Sequence, residues 1–319
     1  MKKYLANLKK ELKRQGISSE DIDEILQDHQ SMIEEAITEG FDEEKLDALF
    51  GDPKKLAEDL KVVQKEGVEI MEKTKTDGYE LIQSFPLATD LKNVQIKLVS
   101  EDTNVEVYDG ENIEVYFKNV DEPKDYEVEY KNGKLTLKKE RSFKMFSIGR
   151  STNKSVLIKL PKGVDLETFE FILVSGDTKI NGLTTKELTL KTTSGDLEVD
   201  NIDAEKIHIN TVSGDCKLNN IKGLEMDLNA VSGDFQVTKV TINGDVVMNT
   251  VSGDFKVTDS ACKEATIKTV SGDLKGSEFY PDLVNLRSVS GDIKIENTDN
   301  LRPIEVGRKK SLSGDISIK

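Results

Sequence analysis

The sequence predicts a mainly β protein: a parallel β-helix (β-solenoid) of about 19 residues per coil behind a small N-terminal all-α domain. Three observations lead there. The tripeptide Ser-Gly-Asp recurs eight times, beginning at Ser175, Ser194, Ser213, Ser232, Ser252, Ser271, Ser290 and Ser313, with spacings of 19, 19, 19, 20, 19, 19 and 23 residues. A fixed period near 20 marks a solenoid, in which each unit buries its apolar face only against its neighbours. Within one period the apolar residues alternate, as in Leu197/Val199 and Ile207/Ile209, and no stretch has helical spacing. The N-terminal residues instead place apolar side chains three and four apart.

Composition limits the function classes. The 319 residues hold 45 basic and 60 acidic side chains, net −15, with 6% aromatics and no Trp. That balance argues against a nucleic-acid binder, which needs a basic surface to meet phosphates. It also argues against direct contact with an anionic membrane. Two cysteines in the whole chain are no disulfide framework and suit a reducing compartment. The start Met1-Lys2-Lys3-Tyr4-Leu5 is basic but leads into no apolar h-region, and no window approaches a membrane span. The expected location is the cytoplasm, with a cell surface reached by non-standard export as the alternative.

Taken in order, the elements begin with helices. Leu5, Leu8 and Leu12 share a face, and Gly16 is placed to end that helix. Ser18 is an N-cap followed by an acidic first turn at Asp21. Ile22, Ile25, Leu26, His29, Met32, Ile33, Ala36 and Ile37 form the stripe of a second helix, which stops at Gly40. Asp42 to Phe50 reads as a short third helix. Asp52-Pro53 then caps a fourth, with Pro at the position where its missing N–H costs nothing. Residues 1–75 carry 13 basic and 19 acidic side chains. The expected organisation is a helical domain over 1–65, a charged helix or linker over 66–78, and the solenoid over 79–319.

Residues 79–172 alternate as strands do, for example Val94-Gln95-Ile96-Lys97-Leu98 and Ile113-Glu114-Val115-Tyr116-Phe117. Lys131-Asn132-Gly133-Lys134 signals a hairpin. These residues are expected to supply opening coils and a cap, because a bare solenoid end exposes unpaired N–H and C=O groups. The repeats themselves fill 173–319. The third residue after each Ser (Thr178, Leu197, Cys216, Phe235, Phe255, Leu274, Ile293, Ile316) and the fifth (Ile180, Val199, Leu218, Val237, Val257, Gly276, Ile295, Ile318) must face inward. The fourth then faces out: Lys179, Glu198, Lys217, Gln236, Lys256, Lys275, Lys294 and Ser317. The repeat Asp lies on that same outer side.

The pairs Gly176-Asp177, Gly195-Asp196, Gly214-Asp215, Gly233-Asp234, Gly253-Asp254, Gly272-Asp273, Gly291-Asp292 and Gly314-Asp315 are read as turn structure. Gly is expected to supply a positive φ and Asp to accept backbone N–H bonds across the turn, with the Lys row screening the carboxylates. A cation ladder is the competing reading, but one Asp per coil offers too few oxygens for calcium.

Two stretches resemble known families. Tyr4-Leu5…Leu8…Leu12, the helix ending in Glu39-Gly40, and Leu49-Phe50-Gly51-Asp52-Pro53-Lys54-Lys55-Leu56-Ala57 are similar to the bacterial HAAS-type helical signalling domain. That resemblance implies a protein partner, since such domains accompany PadR-type regulators or membrane stress sensors. The Ser-Gly-Asp period, with Val156-Leu157-Ile158-Lys159-Leu160-Pro161-Lys162-Gly163 leading into it, resembles the bacterial putative-adhesin family found in LiaG- and LiaX-type envelope-stress proteins. It implies a β-solenoid and names no chemistry.

Catalysis finds little support in the residues. Of two histidines, His29 lies on the apolar stripe of the second helix and His208 faces outward, expected to stand alone. A Ser repeated in eight coils is no set of eight nucleophiles. No phosphate loop, CxxC or HExxH occurs. The longest irregular stretch of the repeats, Asn297 to Pro303, holds Asp299 and Arg302 and explains the spacing of 23. Cys216 and Cys262 lie two coils apart, roughly 9–10 Å, beyond the ~7 Å reach of a disulfide, and are expected to be reduced. No catalytic, cofactor or metal residue is assigned. The candidate partner-binding residues are Phe143, Met145, Phe146 and Ile148, which stand between basic residues. The C-terminal coil offers an edge for self-association. The expected function is a non-catalytic scaffold or regulatory protein in an envelope-stress or PadR-linked circuit. An adhesin-like ligand binder is the alternative, and a carbohydrate-active solenoid enzyme a distant third.

Overall fold

The computed structural model describes residues 2–15, 78–87, 91–120, 122–139, 154–299 and 302–319, together with Ile22, Leu26, Gln30 and Lys54. The chain divides into two compact units, Met1–Thr74 and Lys75–Lys319.

In the first unit, α1 spans Lys2–Gln15. Tyr4, Leu8 and Leu12 recur every four residues and are buried. Lys13 and Arg14 sit in the last turn, where positive charge suits the carbonyl end of the helix dipole. The helix ends one residue before Gly16, as expected. Ile22 is helical and buried, and Leu26 is helical and half-buried. The remaining expected helical features lie outside the described residues.

The second unit is a single 18-stranded sheet wound into a β-solenoid. Its strands are β1 (Glu80–Pro86), β2 (Asn93–Leu98), β3 (Asp102–Tyr108), β4 (Asn112–Lys118), β5 (Tyr126–Lys131), β6 (Lys134–Lys139), β7 (Ser155–Pro161), β8 (Asp165–Leu173) and β9 (Thr178–Asn181). They continue with β10 (Thr184–Ser194), β11 (Leu197–Ser213), β12 (Cys216–Ala230), β13 (Phe235–Thr250), β14 (Phe255–Thr269), β15 (Leu274–Ser288), β16 (Ile293–Glu296), β17 (Glu305–Lys310) and β18 (Ile316–Ile318). Each of β11 to β15 makes nearly a whole coil and pairs in parallel with the next. The register is the repeat itself: Leu197 faces Cys216 and Ile207 faces Met226. The spacing of 20 is one extra residue, absorbed as a register shift between Ile242 and Asp245.

Both inward rows are buried along the repeats, apart from half-buried Ile316 and Ile318 in the last coil, and the Lys-rich row faces solvent. In the third position Phe235 stacks on Phe255 with ring centroids 5.2 Å apart. The coil carries one more inward pair than the alternating pattern suggested: Ile202/Ala204 and Val240/Ile242, for example, are buried as well. That pair follows a second corner, seven residues after each Ser. There the backbone turns left-handed at Gly182, Asn201, Asn220, Lys239, Asp259 and Glu278, with φ between 49° and 86°. Gly and Asn adopt this readily; Lys and Glu do so at a cost of roughly 1–2 kcal/mol each, carried by the pairing on either side.

The N-terminal coils do not stack in chain order. β2 lies between β6 and β8, and β3 between β7 and β9, all parallel. The coil made by β6 and β7 is therefore outside the earlier β2–β3 coil. Antiparallel strands finish it: β4 on β7, β1 on β4 and β5 on β6. The β5–β6 hairpin turns at Asn132 and Gly133, both left-handed.

The repeat glycines are required chiefly by contact. A Cβ on Gly233 would lie 2.0 Å from the carbonyl oxygen of Gly214, and the same holds at 1.9–2.1 Å for each repeat Gly from Gly195 to Gly314. The expected positive φ exists only at Gly176 (118°) and Gly195 (108°); the later coils adopt ordinary backbone angles and still exclude a methyl group. Urea titration tests this. Gly233→Ala is expected to cost about 3 kcal/mol, the upper range for forced overpacking. Gly163→Ala, whose Cβ meets nothing within 4 Å but whose φ is +83°, is expected to cost only about 1 kcal/mol.

Candidate functional site

The Ser-Gly-Asp corner is a stacking device. The N–H of Asp196 donates to Asp177 Oδ1 at 2.9 Å, Asp215 to Asp196 at 3.0 Å and Asp234 to Asp215 at 3.1 Å. The ladder continues through Asp254, Asp273, Asp292 and Asp315 at 2.7–2.8 Å. It begins on Asp102, which accepts from Asp177 at 3.0 Å. Each carboxylate thus neutralises an amide of the following coil. The residue after each Asp bonds onward too: Leu197 N–H reaches the Asp215 carbonyl and Phe235 N–H the Asp254 carbonyl, both at 2.8 Å. The Ser hydroxyl points back. Ser232 Oγ donates to the Val212 carbonyl at 3.2 Å and Ser271 Oγ to Val251 at 3.1 Å. The Asp are therefore acceptors of backbone N–H bonds, but the donors lie in the adjoining coil and not across the same turn.

A fourth residue joins the corner. Two positions before Ser, Thr269 Oγ1 donates to the Gly272 carbonyl at 2.7 Å, and Thr250 Oγ1 accepts from Gly253 N–H at 2.9 Å. Between that buried Thr and the Ser stands a valine that is not buried. Val99, Val174, Val212, Val231, Val251, Val270 and Val289 are each 39–49% exposed. Sequence reasoning passed over this row, although one column holding Val in coil after coil was itself a signal.

Some outward side chains pair across coils. Lys179 meets Glu198 at 2.9 Å and Lys206 meets Glu225 at 3.3 Å, each across one coil boundary. Asn229 Nδ2 donates to Asn210 at 3.0 Å and Asn249 Nδ2 to Asn229 at 2.8 Å. His208 does not stand alone: its Nδ1 is 3.1 Å from Asp227 Oδ2 of the next coil. In the irregular loop Asp299 N–H donates to Tyr280 Oη at 3.1 Å, and Arg302 lies 4.5 Å over the Tyr280 ring. Among the described residues no group of three His, Cys, Asp or Glu is placed to hold a metal. No helix among them is long and apolar enough to cross a membrane. Phe143, Met145, Phe146 and Ile148 lie outside the described residues.

The β2–β3 coil, which lies between the coil of β6 and β7 and that of β8 and β9, carries a different corner. There Glu101 occupies the Gly position and is fully buried. Its Oε2 accepts from the N–H groups of Val99 and Ser100, both at 2.9 Å. Elsewhere the Ser N–H bonds a carbonyl of the previous coil, as Ser232 does to Val212 at 2.9 Å. Oε1 accepts from Tyr126 Oη at 2.6 Å and from Lys139 Nζ at 2.5 Å. Burial pushes this carboxyl upward, but the bonds from Lys139, Tyr126 and the two amides outweigh it and hold it below its ordinary value.

Stacked coils of this kind define a class, a Ser-Gly-Asp β-solenoid behind a helical unit. The family profile described as Toastrack DUF4097 matches residues 91–275 and 244–319, and the chain belongs to that family. A HAAS profile matches residues 3–59 in the helical unit. Three solved structures are similar. A putative adhesin from Bacteroides fragilis is 18% identical with a TM-score of 0.44, covering 74% of this chain and 96% of its own. A putative adhesin from Parabacteroides merdae is 14% identical with a TM-score of 0.49, covering 75% and 96%. A putative lipid binding protein from Parabacteroides distasonis is 19% identical with a TM-score of 0.49, covering 76% and 96%. Comparison with curated protein sequences gives no significant match.

Two outcomes are expected. The folded-state pKa of Glu101 lies below its ordinary 4.5, so its stabilisation is present above that pH and is lost as pH falls through the lower folded value. Glu101→Gln is expected to cost about 2–3 kcal/mol at pH 7 and to flatten the acid limb of urea-derived stability. Cys216 and Cys262 are free, and burial, with nearby Asp carboxylates, pushes both thiols up to about 12. Iodoacetamide at pH 8 is expected to label neither until the solenoid is unfolded, read by intact mass.

Proposed function

We propose that the chain is a non-catalytic scaffold: a regulatory interaction protein in a bacterial cell-envelope stress or PadR-linked circuit, acting in the cytoplasm. The observation that carries this reading is how the repeated polar residues are employed. Ser, Gly and Asp, the residues a repeat enzyme would offer eight times over, bond the adjoining coils or leave room for them. What the solenoid presents outward is a set of regular rows, some of their side chains paired across coils, on a rigid stack. Such a surface suits display and recognition better than bond-making.

The partner is assigned to residues 1–65, a regulator or a membrane-bound sensor, with 66–78 as connector and 79–319 as the rigid body. The HAAS match over 3–59 supports that division. A pull-down from the native host with the full chain, and with residues 1–75 deleted, tests it. The full chain is expected to retain a regulator or sensor that the truncated chain loses. Equal capture by both, or recovery of the protein only outside the cell on fractionation, overturns the reading; the second result favours an adhesin-like ligand binder.

A further inference from the structure

The exposed valine row borders a groove. It runs across the coils for about 350 Å³, with Val251, Val270 and Val289 on one side, Lys268 and Arg287 on the other, and the small residues Thr250 and Thr269 along its floor. Ridge and wall are two residues apart along each strand, about 7 Å. That width admits one extended chain and is too narrow for a helix of about 10–12 Å.

Charge narrows the occupant further. No carboxylate lines the groove. Among the described residues Lys268 and Arg287 have no anionic partner, as Lys217, Lys256 and Lys275 have none, but Lys268 and Arg287 alone among these line the groove. Lys268 pairs in register with Arg287, and Arg287 with Lys310, so three cations stand in one row on successive coils. Residues 251–319 carry 11 basic and 11 acidic side chains, so the whole excess of negative charge lies in residues 1–250.

Spacing selects a conformation. A polyproline II chain repeats every three residues, about 9.3 Å. Two coils advance about 9.4–9.8 Å. A carboxylate at every third residue therefore meets Lys268 and then Lys310, two coils on, with Arg287 midway between them facing both, while an apolar residue between them rests on the valines. A β-strand, with side chains on one face every ~6.7 Å, falls out of step with the coils.

We propose that this groove binds an extended acidic segment of a partner protein in polyproline II conformation, with a carboxylate at every third position. An anionic bilayer is disfavoured because the repeat Asp row runs three residues beyond the valines. The proposal deepens the interaction reading above and rests on it. Its failure would leave partner capture by residues 1–65 unaffected, and the pull-down reports that separately.

Fluorescence anisotropy with the full chain tests it, using a labelled peptide of about twelve residues made of Pro-Leu-Glu repeats. Saturable binding is expected, with none to Pro-Leu-Lys repeats. Lys268→Glu with Arg287→Glu is expected to weaken it roughly tenfold or more, the loss of about 1.4 kcal/mol, and Val270→Asn several-fold. Lys179→Glu with Lys217→Glu, on the face beyond the Asp row, is expected to change it little. All five side chains are exposed, and unchanged melting by circular dichroism confirms that the variants fold. Absence of saturable binding, equal binding of the lysine peptide, or undiminished binding by the charge-reversed variant overturns the proposal. So does adsorption to phosphatidylglycerol vesicles that the Lys268/Arg287 variant abolishes while the acidic peptide fails to bind.

Discussion

At the Ser-Gly-Asp corner the backbone of one Gly lies directly over the carbonyl of the Gly before it, with no room for a side chain. A methyl group there would lie within 1.9–2.1 Å of that oxygen. This contact brings the Asp carboxylate of one coil against the Asp amide of the next and the Ser hydroxyl against the valine carbonyl behind it. Each such bond is worth only about 0.5–1.5 kcal/mol net. Repeated along the stack, they do something that apolar packing cannot: they fix register. Inward side chains at a period of two would tolerate a slip of two residues, and the corner does not.

A solenoid held this way has an end problem, because each coil takes hydrogen bonds from the one before it. At the β2–β3 coil, whose outer neighbour is the coil of β6 and β7, Glu101 meets it with one side chain. It stands where Gly stands in every later coil. Its carboxylate takes the two N–H groups that a preceding coil would have taken. Tyr126 and Lys139, from β5 and β6, close over it. The carbonyl of Lys154 completes the cap by accepting from Asp102 N–H at 2.9 Å. The antiparallel strands β1, β4 and β5 then cover the outermost coil, whose edge would otherwise be free to pair.

The repeat core was legible because period and alternation act on the same residues: Leu197 and Val199 point inward in every register that keeps the tripeptides stacked. The cap was legible as a need and illegible as a path. The β2–β3 coil inserts between β6–β7 and β8–β9 through parallel pairings with no shared period, so nothing in Val94 or Leu135 marks them as neighbours. Glu101 was hidden for a related reason. Val99-Ser100-Glu101-Asp102 is a corner that lacks the very Gly by which corners were recognised. The left-handed corner was obscured by its own variation, since Lys239 and Glu278 hold a conformation for which Asn or Gly is the usual sign. Gly was read as a source of positive φ when, in most coils, its role is to be small.

Because the corner commits Ser, Gly and Asp to stacking, the identity of the tripeptide says little about recognition. The rows beside it are free to differ. The row two residues before the valines passes from Lys191 through Asn210, Asn229 and Asn249 to Lys268, Arg287 and Lys310. Its asparagines hydrogen-bond to one another and so form a neutral, self-satisfied stretch, while its C-terminal cations do not. The backbone and the inward packing hardly change along that row. A net charge of −15 therefore describes no particular face of the molecule. The coil-by-coil sequence of side chains in each outward row decides what a given stretch of the solenoid attracts, and the uniform corner lets those rows vary without disturbing the stack.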